Sequence, residues 1–176
     1  MLATHEPGGT PLGDQLRELL LLRGDLQLEA SAEALLMNAS RAQLVEQVIR
    51  PALERGEVVV CDRFADSTLA YQGAGRGLDV QALESVISFA TAGLEPDMTM
   101  LLDLPVEDGL ARKRARPDWN RFEDETLAFH KRVRAAYQAM ASANPERWRC
   151  FDAMAPPDDI ADAIWAAVAP RLGLEP

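Results

Sequence analysis

Val58-Val59-Val60-Cys61-Asp62-Arg63-Phe64 decides the fold, and Ala65-Asp66-Ser67-Thr68-Leu69-Ala70-Tyr71-Gln72-Gly73 follows it directly. Three valines and a cysteine come after a Gly56-Glu57 turn and run straight into a carboxylate and a guanidinium. A short continuous apolar run bounded by turn residues suits a strand buried on both faces, as in a parallel sheet. In such sheets the ligand crevice lies just beyond the carboxyl ends of the strands. Asp62 and Arg63 fall at that place. The carboxylate suits an acceptor or a metal-facing anion, and the planar fork beside it suits phosphate. The same pair also suits a structural ion pair capping the strand, and these residues alone leave both readings open.

One domain is the natural count for 176 residues, enough to bury a real core. The composition is that of an ordinary globular protein, 48% apolar and 26% charged. A net charge of −10 argues against wholesale binding to nucleic acid or to an anionic membrane. An anionic ligand must therefore be held by a few local arginines against the overall field. No apolar stretch reaches membrane-spanning length, and the opening residues do not read as a signal peptide. The two cysteines, Cys61 and Cys150, each fall in an expected buried strand and read as small buried hydrophobes. A reducing cytoplasm is the expected compartment.

Upstream of the strand, the longest helix is expected from about Ser31 to Leu53. Leu35, Ala39, Ala42, Val45, Ile49 and Ala52 step by threes and fours to give an apolar stripe. Arg41 flanks it, with Met37 one turn earlier; a snorkelling surface arginine is the plainer reading there. Met1–Thr4 reads as the end of a strand rather than as a strand of its own. It enters His5-Glu6-Pro7-Gly8-Gly9-Thr10-Pro11-Leu12-Gly13 abruptly, and a helix from Gln15 to Leu22 follows, stopped by Gly24.

Downstream, Ser67–Tyr71 suits a short helix and Gly73–Gly77 a flexible loop. That glycine cluster has no lysine and no strand leading into it, so it is a weak match to a phosphate loop. Gln81–Ala90 reads as an amphipathic helix with Leu83, Val86, Ile87 and Ala90 inward. Met98–Leu104 is a second buried strand, passing through Asp103. Pro105 opens a helix with the basic run Arg112, Lys113, Arg114 and Arg116. Such a run suits a solvated face, or a lid-sized segment leading to Asn120-Arg121-Phe122-Glu123. Asp124–Ala143 is helical, with His130 at its surface. Arg147–Asp152 is the last strand, and Pro156 starts a final helix with Ile160, Ile164, Val168 and Leu172 inward. Strands alternating with helices make an α/β chain with a parallel sheet.

Taken in order, Glu6-Pro7-Gly8-Gly9-Thr10, the helix around Arg41, Cys61-Asp62-Arg63-Phe64, Ser67–Gly73 and Leu102-Asp103-Leu104-Pro105-Val106 resemble bacterial thymidylate kinase. So does the Arg-rich segment, about 112–123, that leads to Arg121-Phe122-Glu123. The resemblance spans essentially the whole chain. It implies a single domain over residues 1–176 with the three-layer fold of P-loop nucleoside monophosphate kinases. It also implies magnesium-dependent transfer of the ATP γ-phosphoryl group to dTMP, giving dTDP and ADP, by a homodimer packed through helices. Residue by residue, Arg63 would hold the dTMP phosphate with Asp62 beside the metal, and Arg41 would bond the thymine O4. Ser67, Thr68 and Gln72 belong to the base-reading block, and Tyr71 would pack on the sugar. Glu6 and Pro7 would line the pocket, and Met37 would take the place of a stacking aromatic. Arg116, with Arg112 or Arg121, would clamp the transferring phosphoryl group.

The resemblance also has departures. The family opens with a strand, a Walker A loop ending Gly-Lys-Ser/Thr, and a helix; no Gly-x-x-x-x-Gly-Lys occurs in these residues. His5 stands where the family usually has arginine, Met37-Asn38 where an aromatic stacks on thymine, and Pro117 and Asn120 where glycine and aspartate are usual. The family's first strand is central in its sheet, so the expectation is a sheet missing that strand, with bare edges at its neighbours. The expected explanation is that Met1 is an internal methionine of a longer reading frame, tested by reading the DNA upstream. Alternatives are a non-catalytic nucleotide-binding or dimerising remnant, and a kinase of another nucleoside monophosphate.

Overall fold

Leu2–His5 forms strand β1, which pairs in parallel with β2, Val59–Asp62, in a register that sets His5 opposite Asp62. The computed structural model describes residues 1–22, 26–115 and 120–175. The opening residues are thus strand, as expected, and they run to His5 rather than to Thr4. The partner supplies the ladder that four residues cannot make alone, from Leu2 N donating to Val58 O (2.8 Å) to Glu6 N donating to Asp62 O (3.0 Å). Because the strands run the same way, Glu6 and the Asp62-Arg63 pair leave the ladder side by side.

The described residues form two compact units, one made of Met1–Glu95 with the stretch from Asn120 to Val133, the other of the stretch from Pro96 to Ala115 with Arg134 onward. In the first, helix α1 (Pro11–Arg17) starts where Thr10 Oγ1 accepts from Gly13 N at 3.0 Å, with Pro11 at its first position. A π-helical turn, Glu18–Leu22, continues it. Helix α2 (Ala30–Leu44) passes through a π-helical turn at Val45–Ile49 into α3 (Arg50–Glu54), matching the expected long helix. Leu44, Val45 and Ile49 form the core against Val48, Val59, Cys61, Phe64 and Leu94.

The apolar stripe is correct from Val45 on and wrong before it. Leu35 is 57% exposed and Ala39 is exposed, while Glu33, Asn38, Ser40 and Arg41 are buried. The first half of α2 turns a polar face inward because its inner neighbours are the polar groups of a site.

After β2 come α4 (Ala65–Thr68), a π-helical stretch Leu69–Gly75, and α5 (Val80–Thr91), whose Asp79 cap accepts from Ala82 N at 2.8 Å. The glycine cluster expected as a loop is therefore helical through Gly75. A β-carbon on Gly75 would stand 2.6 Å from the Phe129 ring, so glycine there serves close packing.

In the second unit, β3 (Thr99–Asp103) pairs in parallel with β4 (Trp148–Asp152), followed by α6 (Val106–Arg114) after β3 and α8 (Pro157–Val168) after β4. Helix α7 spans Leu127–Ala143. Trp148 is buried, with Tyr137 edge-on at 6.3 Å between ring centroids.

Among the described residues each sheet has two strands, and neither is covered on both faces as expected. Val60 is 53% exposed and Leu102 49%, and Cys150 is exposed, while Cys61 is only partly buried. Leu172 is also exposed, and His130 is half-buried against Phe129 rather than at the surface.

Candidate active site

Two guanidinium groups meet near the carboxyl ends of β1 and β2 by different routes. Arg63 leaves β2 with φ +65°, a left-handed conformation uncommon for a residue with a side chain. It is exposed, and its guanidinium carbon lies 5.0 Å from the centre of the Tyr71 ring. Asp62 beside it is exposed too.

Arg41 comes from α2 and is only 2% exposed, which overturns the surface reading of this arginine. Its Nε and Nη2 each approach Glu6 Oε2 at 2.8 Å. Nη1 donates to Asn38 Oδ1 (2.8 Å) and Thr68 Oγ1 (3.0 Å), and Nη2 to Phe64 O (3.2 Å). A guanidinium has five N–H donors, so this fork is saturated by protein. Burial pushes the Glu6 carboxyl above the usual carboxylate range, against the pull of Arg41. Its second oxygen, Oε1, is buried without a hydrogen-bond partner among the described residues. The Cys61 thiol is pushed up to about 12, by burial first and then by the charges of Glu6 and Asp62.

A second polar centre is Glu33, 1% exposed on α2. Its Oε1 accepts from Gln72 Nε2 at 2.8 Å and Arg76 Nε at 3.3 Å. Its Oε2 takes Arg76 Nη2 at 3.2 Å and also Arg121 Nη2. Tyr71 packs edge-on against Phe122 and Phe129, with ring centroids 5.6 and 6.1 Å apart, and Arg121 lies over Phe122 at 5.0 Å. Arginines thus lie near the carboxyl ends of β1 and β2, and a hydroxyl and an amide lie on the helices beyond them.

A model of thymidylate kinase matches residues 1–164. The chain belongs to the thymidylate kinase family. The thymidylate kinase of Thermomicrobium roseum is 57% identical over 169 residues, spanning 96% of this chain and 80% of that protein. That of Deinococcus radiodurans is 51% identical over 168 residues, spanning 96% and 81%. The crystal structure of thymidylate kinase from Ehrlichia chaffeensis superposes with a TM-score of 0.73 at 28% identity, covering 94% of this chain and 79% of that one. The fold is therefore the α/β fold of P-loop nucleoside monophosphate kinases, as expected, and the family is one of transferases that use ATP as phosphoryl donor.

Within this thymidylate kinase fold the structure joins Glu6, Arg41 and Thr68 by hydrogen bonds, and places Arg63 against Tyr71, the residue before Gln72. Met37 and Ser67 are half-buried on α2 and α4, and Pro7 is buried, its carbonyl accepting from Arg17 Nη1 at 2.9 Å. Arg121 is anchored to Glu33. Arg112, in the second unit, donates to Ala153 O at 2.8 Å and approaches Met154 Sδ at 3.5 Å. Arg116 and Pro117 lie outside the described residues. Asp103 is held by Arg134 at 2.7 and 2.9 Å, and that pairing, with Gln138, keeps its carboxyl below the usual range.

Sequence reasoning missed Glu33 and Arg17, and it noted Asn38 only beside Met37, not as a partner of Arg41. Glu33 had a signal. It lies eight residues before Arg41 with Met37 midway, so all three share one helix face, and a lone carboxylate between Ala32 and Ala34 is out of place on a helix read as apolar. Arg17 gave none beyond ordinary helix composition.

Proposed function

We propose that these residues form the dTMP-binding half of a thymidylate kinase, which transfers the ATP γ-phosphoryl group to dTMP and yields dTDP and ADP. The observation that carries the reading is the convergence of Arg63, Arg41 and Thr68 where β1 and β2 end, since the Phe64 carbonyl that accepts from Arg41 belongs to the residue after Arg63. Arg63 grips the phosphate end, Tyr71 packs on the sugar, and Thr68 and Gln72 read the base edge, with Arg41 holding Thr68 rigidly in place and Met37 as a soft platform under the base. Glu6 and Pro7 wall the pocket. Arg121 supplies cationic charge to the transferring phosphoryl group, a step that needs positioning and charge cancellation more than covalent help.

Magnesium binds through one or two carboxylates and otherwise through water and phosphate oxygens. A single exposed carboxylate at the strand end fits that habit, so Asp62 would hold the ion. Bound magnesium supplies charge neutralisation across the phosphate oxygens. The protein acts in the cytoplasm as a homodimer packed through helices.

The second reading, a dTMP-binding chain without catalysis, is favoured by one fact: these 176 residues contain no Gly-x-x-x-x-Gly-Lys. Coupled ADP-release assays on the 176-residue chain and on a chain that also carries a Walker A element decide between the two. The expected result is dTMP-dependent turnover at background level in the former. In a chain that also carries a Walker A element, turnover is expected, and Arg63→Ala lowers it by orders of magnitude. A near-normal rate for that variant would refute the role given to Arg63.

A further inference from the structure

Glu33 pairs with Arg121 and Arg76 rather than with Arg63 or Tyr71, the residues given to the dTMP phosphate and the sugar, and it is the most deeply buried carboxylate of the site and binds Gln72 directly. A side-chain amide carries a donor end and an acceptor end. A carboxylate flanked by two guanidinium groups only accepts. Gln72 therefore turns Nε2 toward Glu33, and its carbonyl Oε1 lies in the same plane on the opposite edge of the amide. Arg76 and Arg121 occupy the remaining faces of the carboxylate and keep it from rotating away.

We infer that Glu33 is a positioning residue that fixes Gln72 as an acceptor, and so makes the pocket selective for pyrimidines carrying an N3–H. The inference rests on the dTMP-pocket reading above. Thymine and uracil present N3–H, which an amide carbonyl accepts. Cytosine presents a bare N3 lone pair, which faces that carbonyl oxygen with no hydrogen between them. A buried polar group left unpaired in this way costs on the order of tenfold to a hundredfold in affinity. Gln72 is 2% exposed, so water does not relieve the mismatch.

The test is calorimetric titration of dTMP, dUMP and dCMP into the 176-residue chain and into Glu33→Gln. In the unmutated chain, dUMP is expected within about tenfold of dTMP, and dCMP roughly a hundredfold weaker. Glu33→Gln offers Gln72 both a donor and an acceptor, so the amide is free to flip, and the dTMP-to-dCMP ratio is expected to fall to about fivefold or less. Glu33→Gln also removes the counter-charge of two arginines. The charge-balanced Glu33→Gln/Arg76→Gln chain keeps the test valid should the single variant fail to fold, and the same fall in ratio is expected there.

A merely structural role would weaken all three nucleotides alike and leave the ratio unchanged, and that result would overturn the inference while sparing the pocket. So would equal binding of dCMP and dTMP by the unmutated chain. No dTMP binding at all by the unmutated chain would overturn the pocket, and this inference with it.

Discussion

Two arginines near the same strand end are used in opposite ways. Arg41 is enclosed, and its donors are taken by Glu6, Asn38, Thr68 and the Phe64 carbonyl, so its contribution to any base contact is rigidity. Arg63 is exposed and holds a left-handed backbone that costs an ordinary residue about 1–2 kcal/mol. A residue kept under such strain beside a pocket points to a function that glycine could not serve. Arg63→Gly is therefore expected to leave thermal stability unchanged or raised by up to about 1 kcal/mol while weakening dTMP binding at least tenfold. Thermal unfolding and titration of the same variant check both halves. A fall in Tm with undiminished affinity would make Arg63 a structural residue. Asp62-Arg63 was legible because a strand end in a parallel sheet is a known place for ligands. The depth of Arg41 was not, because a lone helical arginine carries no sign of which acceptors lie across from it.

At the scale of elements, helix α2 shows where pattern reading stops. Its second half follows apolar periodicity into the Leu44–Val45–Ile49 core. Its first half places Glu33, Asn38, Ser40 and Arg41 inward, an order that hydrophobic periodicity reads as backwards. Polar residues face inward only where other polar groups meet them, and those partners, Glu6, Thr68 and Gln72, are far away in sequence. The Gly73–Gly77 cluster failed for a related reason: Gly75 is needed by the Phe129 ring rather than by a turn. On the outer surface, α2 exposes Leu35 and α5 exposes Phe89, the latter 89% accessible. Large exposed apolar side chains on packed helices suit an interface between two copies. Phe89→Glu, which disturbs no core contact, is expected to shift sedimentation from dimer to monomer. A monomeric unmutated chain, or a dimer indifferent to the change, would contradict that assignment.

For the whole molecule, the α/β class and the parallel pairing followed from strands alternating with helices, and both parallel ladders are present. The strand rule that placed Asp62 and Arg63 also called for burial on both faces, which Val60 and Leu102 do not show. Their apolar character is plain in the sequence, whereas their exposure follows from how few strands these ladders contain. The site was half legible: Arg63, Thr68 and Gln72 could be singled out from sequence, whereas Glu33 could not. The central claim is that the mouth of β2 grips a nucleotide by its phosphate, and calorimetric titration of dTMP against thymidine tests it most directly. The expected result is that dTMP binds the chain at least tenfold more tightly than thymidine, and that Arg63→Ala erases the difference. Equal affinity for the two in the unmutated chain, or a difference that survives Arg63→Ala, would contradict it.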